Sequence, residues 1–325
     1  MTVSAEPPRQ GNVPYLARFA TDEARGLLSG VGAFFIWGCA PVYFKWLSHV
    51  SPIEIAAHRA VWSLLFVAII VMMTGRGRQI AEIFRAPRTL AVFVVTTLLI
   101  GSNWMLYIWA IANERILEGS LGYYINPLVN VLLGLLFLGE RLNRWQGVAI
   151  LFAVVAVAIM TMQLGFLPWV SLYLAFSFGF YGLFRKKVAV DSTVGLTVET
   201  ILMFPLALGF LLYLTFAVQP MSPGAAPVGF HHDAWTLVLL AGTGIVTAVP
   251  LILFATAARH LTLTTLGLLQ YMSPTLQALL AVFLYHEPFG EPRMLAFGLI
   301  WIGLIIYSVD GYRRRHAAAM AGKAP

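Results

Sequence analysis

Apolar runs of about twenty residues recur along nearly the whole chain, each long enough for a helix rising about 1.5 Å per residue to cross a hydrocarbon core of about 30 Å. Ten can be drawn: Gly26 to Trp46, Ile53 to Met73, Thr89 to Ala112, Leu117 to Leu138, Trp145 to Met162, Leu167 to Phe184, Val194 to Phe216, Ala234 to Ala257, Leu263 to Tyr285 and Arg293 to Asp310. Lipid cannot hydrogen-bond a backbone, so such runs must satisfy their own N–H and C=O groups as helices. Composition agrees: of 325 residues, 59% are hydrophobic and 11% charged, and the mean hydropathy is +0.81. The alternating strands of a transmembrane barrel are missing from the pattern. The expected fold class is an all-α integral membrane protein of ten transmembrane helices. Connections are short except Ala217 to Asp233, which is rich in Pro and Gly and reads as a true loop.

The net charge of +7 would suit nucleic acid, but the position of the charges argues for a membrane instead. Arg9, Arg18 and Arg25, then Arg76, Arg78, Arg85 and Arg88, then Arg141 and Arg144, then Arg185, Lys186 and Lys187, then Arg259, Arg313, Arg314, Arg315 and Lys323 form a set of 17 on one side. Lys45, Arg115 and Arg293 form the opposite set, and Arg59 alone is left within a span. By the positive-inside rule the large set is cytoplasmic, and both termini with it. The N-terminal 25 residues are polar and lack the apolar core of a signal peptide. A lone Cys39 excludes an intramolecular disulfide and any multi-cysteine metal site.

An internal repeat is legible. INPLVNVLLGLLFLGER (Ile125 to Arg141) aligns without a gap on MSPTLQALLAVFLYHEP (Met272 to Pro288), pairing Pro127 with Pro274, Glu140 with Glu287, Asn126 with Ser273 and Asn130 with Gln277. A weaker match at another offset pairs Gly38 with Gly179, Lys45 with Lys186, Ser51 with Ser192 and His58 with Glu199. The chain then divides into a tail (1–25), a first five-helix repeat (26–163), a second (164–310) and a basic tail (311–325). Five spans per repeat is an odd number, so the second repeat is inverted. Inverted repeats place a site at their interface that rocking exposes to either side, an architecture for transport. A duplication retained only for stability is the rival reading.

Pro127 and Pro274 fall about midway along spans four and nine. An interior proline removes the bond to the carbonyl four residues earlier. Tyr123 and Gln270 would thus have freed C=O groups, and a helix break is expected at each proline. Tyr123, Asn126 and Asn130, and their counterparts Gln270, Ser273 and Gln277, recur at helical spacing and make one polar stripe per helix. Two such stripes can line a cavity or act as interhelical glue. Asn103, Trp104 and Tyr107 on span three, and Tyr173, Ser177 and Tyr181 on span six, add aromatic rings beside amides, a lining suited to an amphipathic organic solute.

SPIEIAAHRAVWSLLF (Ser51 to Phe66) carries Glu54, His58 and Arg59 within six residues. Pro52 suits a first helical turn. Arg59 would then lie about 10 Å below the surface, where a charge is costly and needs an acceptor, a bound anion or an outward snorkel. A histidine's ordinary value lies near neutral pH, so His58 is expected as a group able to titrate there. Its pairing with Glu199 across the repeat raises a gate or proton relay of His58, Arg59 and Glu199. Glu140 and Glu287 each precede a span and read as caps of the following helix.

These motifs carry a resemblance. FFIWGCAPVYFKWL, SPIEIAAHRAVWS, GSNWMLYIWAI, EGSLGYYINPLVNVLLGLLFLGERL, SFGFYGLFRKK, GLTVET and TLGLLQYMSPTLQALLAVF, spread from about Gly26 to Tyr307, resemble the RarD-type permeases of the EamA family in the drug/metabolite transporter superfamily. The resemblance implies a ten-helix permease of the bacterial inner membrane with two inverted repeats and a central cavity. It also implies small organic solutes as substrates, and a label of chloramphenicol sensitivity or resistance. On this pattern Trp37, His58, Arg59, Asn103, Trp104, Tyr123, Asn126, Asn130, Tyr181, Glu199, Gln270 and Gln277 stand at the family's polar or aromatic positions.

The expected partners are a small-molecule substrate, membrane lipid and protons as coupling ion, with no nucleic acid, cofactor or metal. The oligomeric state is not readable. An enzyme acting on lipid-linked substrates is disfavoured by the lack of a P-loop, an HExxH and clustered carboxylates at metal spacing. A non-transporting sensor or scaffold is disfavoured by the short loops.

Overall fold

A computed structural model describes residues 15–113, 115–165, 167–218, 226–285 and 290–321. The described residues form helices joined by short connections: α1 (Tyr15–Lys45), α2 (Pro52–Met73), α3 (Gly77–Arg85), α4 (Pro87–Ala112), α5 (Ile116–Leu138), α6 (Arg144–Leu164), α7 (Trp169–Lys187), α8 (Ser192–Tyr213), α9 (Ala234–His260), α10 (Leu263–Gln270), α11 (Met272–Leu279) and α12 (Glu291–Ala321). Single π-helical turns follow α8 (Leu214–Val218) and α11 (Leu280–Leu284).

Local chemistry sets several boundaries. Pro52 opens α2, where its missing N–H costs nothing. Asn143 and Gln146 close a reciprocal capping box on α6. Asp191 and Asp233 cap α8 and α9 by accepting from two backbone N–H groups each. Left-handed Gly139 and Gly165 terminate α5 and α6.

Nine helical segments among the described residues are long and apolar enough to cross a membrane. The expected sixth span, α7, is not one of them. Its serines, tyrosines and glycines dilute its hydropathy, and Arg185, Lys186 and Lys187 close it. Such a helix is tolerated where protein rather than lipid surrounds it, and α7 packs against α4, α5 and α9.

The two prolines behave differently. α5 runs through Pro127 without interruption, so the break expected there does not occur. The second helix is interrupted at Tyr271, between α10 and α11, just ahead of Pro274, which cannot donate to the Gln270 carbonyl.

Helix neighbours exchange when the halves are exchanged. With α1, α2, α4, α5 and α6 replaced by α7, α8, α9, α10–α11 and α12, the pair α1/α9 becomes α7/α4, α1/α11 becomes α7/α5, and α2/α9 becomes α8/α4. The pairs α2/α8, α5/α10 and α6/α12 map onto themselves. The core accordingly draws on both halves: Phe34, Leu121, Tyr181, Phe254, Leu266 and Tyr271 are all fully enclosed.

Residues 226–233 of the expected loop form no helix, and they are tied down. Phe230 N donates to Thr215 Oγ1 (3.1 Å), and Gly229 N donates to Glu54 of α2 (2.5 Å).

Candidate functional site

A cavity of about 480 Å³ lies between the halves. α1, α2, α4, α5, α7, α9, α10 and α11 each contribute: Trp37, Asn103, Trp104, Tyr107, Tyr123 and Asn126 come from the first half, and Gln270, Ser273 and Gln277 from the second. At one end the cavity reaches the α1–α2 connection at Leu47, Ser48 and Val50. At the other it stops at Phe34, Trp37 and Phe178. Behind these, Phe254 packs on Trp37 and Phe178 at 5.8 and 5.0 Å between ring centroids and stacks on Tyr181 at 6.1 Å.

The polar stripes do meet, and they are both lining and glue. Asn130 Nδ2 donates to Gln270 Oε1 (3.0 Å), joining the two halves, and to Asn126 Oδ1 (3.2 Å). Asn126 Nδ2 donates to the Ala175 carbonyl (2.7 Å), and Asn103 Nδ2 to the Leu174 carbonyl and Ser177 Oγ (both 2.9 Å). Asn130 itself is fully buried and does not line the cavity, contrary to expectation. It lies beneath the floor because its amide is used to tie α5 to α10. Tyr181 is likewise withdrawn, 1% exposed, with its hydroxyl donating to Glu199 (3.2 Å). Tyr123, by contrast, is 44% exposed and meets Tyr107 edge to face at 5.6 Å.

Several contributors escaped the sequence reading, among them Phe34, Phe44, Phe178, Thr247 and Pro41. Pro41 lies inside α1 and lines the cavity. Its missing N–H leaves the Trp37 carbonyl without its helical donor. Gln277 Nε2 supplies the replacement at 3.1 Å. The signal was present as a proline four residues after Trp37, the same logic applied to Pro127 and Pro274.

His58, Arg59 and Glu199 are not brought together. His58 is fully buried: Trp62 Nε1 donates to its Nδ1 (3.2 Å), so Nε2 carries the proton and donates to the Gly229 carbonyl (3.2 Å). Glu54 beside it accepts from Gly229 N and lies 2.9 Å from His232 Nε2. This cluster fastens the 226–233 segment to α2. Glu199 lies near the start of α8, where it accepts from Thr96 (2.7 Å) and faces Arg185 at 3.7 Å. Arg185 in turn donates to the Ser192 carbonyl (2.9 Å). A Cβ on Gly195 would fall 1.8 Å from the Arg185 guanidinium, so a side chain there would displace that group. Arg76 and Asp191 pair at 2.7 Å between the end of α2 and the start of α8, so α2 and α8 run antiparallel and the His58 and Glu199 clusters occupy opposite ends. A single relay through all three residues is therefore not what the geometry presents.

Arg59 alone of the three reaches the cavity. Its Nε donates to Thr247 Oγ1 (2.8 Å), and its guanidinium lies 4.7 Å from the Trp104 ring centroid and 5.4 Å from that of Phe44.

Glu140 is a cap, but of a different helix than expected. α6, which follows it, is already capped by Asn143. The Glu140 carboxylate instead accepts from Leu263 N (2.6 Å), Thr264 N (3.0 Å) and Thr264 Oγ1 (2.7 Å), holding the start of α10 in the other half. It rests on Gly134, where a Cβ would fall 2.6 Å from it. Its repeat partner Glu287 lies outside the described residues. Lys186 closes the same end by donating to the carbonyls of Ala258 (3.0 Å) and Leu261.

No group of three or more His, Cys, Asp or Glu suited to a metal occurs among the described residues. The profile of the EamA-like transporter family matches the chain twice, at residues 24–162 and 167–309. An uncharacterized transporter of Vibrio cholerae is 44% identical over 301 residues, covering 92% of this chain and 97% of that one. Protein RarD of Escherichia coli K12 is 41% identical over 300 residues, covering 92% and 99%. A more distant relative in Pseudomonas aeruginosa, 28% identical over 92% and 98% of the two chains, is named chloramphenicol-sensitive protein RarD. A solved crystal structure, 18% identical, superposes with a TM-score of 0.66 over 88% of this chain and 98% of its own, which shows a shared fold.

Proposed function

The chain belongs to the EamA-like transporter family, and from that premise we propose that it is a secondary transporter carrying a small organic solute across the bacterial inner membrane by alternating access. The solute is drug-like or amino-acid-like, and the direction is export. The observation that carries this reading is the cavity of about 480 Å³ between the halves, within the size range of organic ligands and lined by rings and amides from both.

Two matches to one family profile, and helix pairs that exchange with the halves, support ten spans arranged as two inverted five-helix repeats. α7 is the tenth span, carried inside the bundle. The basic end, with Arg76, Lys186 and Arg185, is assigned to the cytoplasm by its charge, and both termini with it. In this arrangement the cavity faces outward and the cytoplasmic end is shut.

Proton coupling through His58 and Glu199 is not favoured by where they lie. Among the described residues the cavity lining carries no carboxylate or imidazole. Each cluster is better suited to holding one end of the bundle.

The test is a metabolite profile inside and outside cells making the wild-type protein, an equally expressed Ser273→Trp variant, or neither. Ser273 lines the cavity, and an indole in its place fills it. A solute that leaves only the wild-type cells supports the reading. Identical profiles from wild-type cells and cells without the protein contradict export.

A further inference from the structure

Arg59 is the charged group of the cavity lining among the described residues. Placed about 10 Å along α2 from its start, it is deep enough that losing water is costly and an unanswered charge is disfavoured. What answers it is incomplete. Thr247 takes Nε, and the faces of Trp104 and Phe44 take part of the charge by cation–π contact. The two terminal nitrogens carry four N–H groups that make no hydrogen bond among the described residues, with the neutral hydroxyls of Tyr107 and Tyr123 beside the group in the same lining. The nearest carboxylate in sequence, Glu54, is committed to Gly229 and His232. The other polar lining groups are neutral amides and hydroxyls.

We propose that the cavity takes an organic anion, a carboxylate or similar planar oxyanion on an apolar or aromatic body, with its oxygens on the terminal nitrogens of Arg59. This deepens the transporter reading and rests on it. A guanidinium fork matches a carboxylate in two parallel hydrogen bonds, and Thr247 and Trp104 hold the fork in place before the ligand arrives. A cavity of about 480 Å³ is far larger than an inorganic anion needs, and Trp37, Tyr107, Tyr123 and Phe178 offer ring faces and edges for an organic body.

The experiment uses purified full-length protein in detergent at neutral pH and a series in which only the charge changes: phenylacetate, phenylacetamide and phenethylamine. Phenylacetate is expected to raise the unfolding midpoint saturably, with the amide and the amine at least about tenfold weaker. Arg59→Gln is expected to erase that preference. Arg59→Lys, which keeps the charge and loses the fork, is expected to weaken phenylacetate several-fold, and it carries the test if Arg59→Gln does not purify. Equal shifts from the amide or the amine, no shift from any of the three, or a preference that survives in the Arg59 variants would overturn the assignment. Binding is scored without flux, so a failed series beside an intact export profile overturns the anion and leaves transport standing. The reverse pattern overturns transport alone.

Discussion

The two ends of the bundle solve the same problem with opposite results. At the basic end, groups from one half grip the other: Glu140 accepts from backbone N–H groups at the start of α10, and Arg76 pairs with the Asp191 carboxylate. Within the second half, Lys186 holds the end of α9. At the other end Lys45, the repeat counterpart of Lys186, lies over the Tyr285 ring at 3.5 Å instead of binding carbonyls, and the cavity reaches the α1–α2 connection. The buried carboxylates differ likewise. Glu199 faces a buried arginine, whereas Glu54 is served by an amide and a histidine that pin a connecting segment. Both ends thus join the halves among the described residues, but by different means: at the basic end through Glu140 on the start of α10 and Arg76 on Asp191, and at the other through Glu54 and His58 on the 226–233 segment beside the α1–α2 connection that the cavity reaches.

The largest way to break that comparison is at the buried pair. Arg185→Met leaves Glu199 enclosed without its cation and is expected to cost about 3–5 kcal/mol, read as a large fall in the unfolding midpoint in detergent. Adding Glu199→Leu should recover most of it. Next comes the cavity wall, where Gln277→Leu strands the Trp37 carbonyl at about 1–3 kcal/mol. Pro41→Ala in the same background restores a helical N–H and should rescue the loss, which isolates the carbonyl as the cause. Smaller again is Glu140→Ala, at about 1–2 kcal/mol for the lost cap, with the basic end loosened.

The smallest effect is one of pH. Hydrogen bonds from the Thr236 hydroxyl and backbone N–H hold the exposed Asp233 carboxyl below the ordinary aspartate value of 3.8. A depressed folded value means its contribution is full above that point and is lost as pH falls through the lower one. The stability gap between wild type and Asp233→Asn should therefore stay constant across neutral pH and close only in acid.

The membrane fold was legible because lipid permits so few backbone solutions, and the repeat because NPLVN and SPTLQ preserve their spacing. Nine of the proposed cavity side chains line one space for the same reason: helical periodicity places residues three and four apart on one face. Depth along the shared face was not legible, since Asn130 and Tyr181 keep the periodicity yet fall beneath the floor. Nor were partners far apart in sequence. Glu140 and Leu263 are 123 residues apart, and sequence proximity pointed to α6 instead.

The central claim is that the two ends open and close in exchange, and one accessibility measurement tests it most directly. Ile55 lines the cavity, while Leu196, its counterpart at the second repeat offset, is 4% exposed. In a Cys39→Ser background, Ile55→Cys and Leu196→Cys are each labelled with a membrane-impermeant thiol reagent from either side, with and without Glu140→Ala. The account predicts that Ile55→Cys reacts rapidly from outside and Leu196→Cys hardly at all. Releasing Glu140 should then slow the first and speed the second from the cytoplasmic side. Rates that rise together, or that do not change, would contradict an exchange between the two ends.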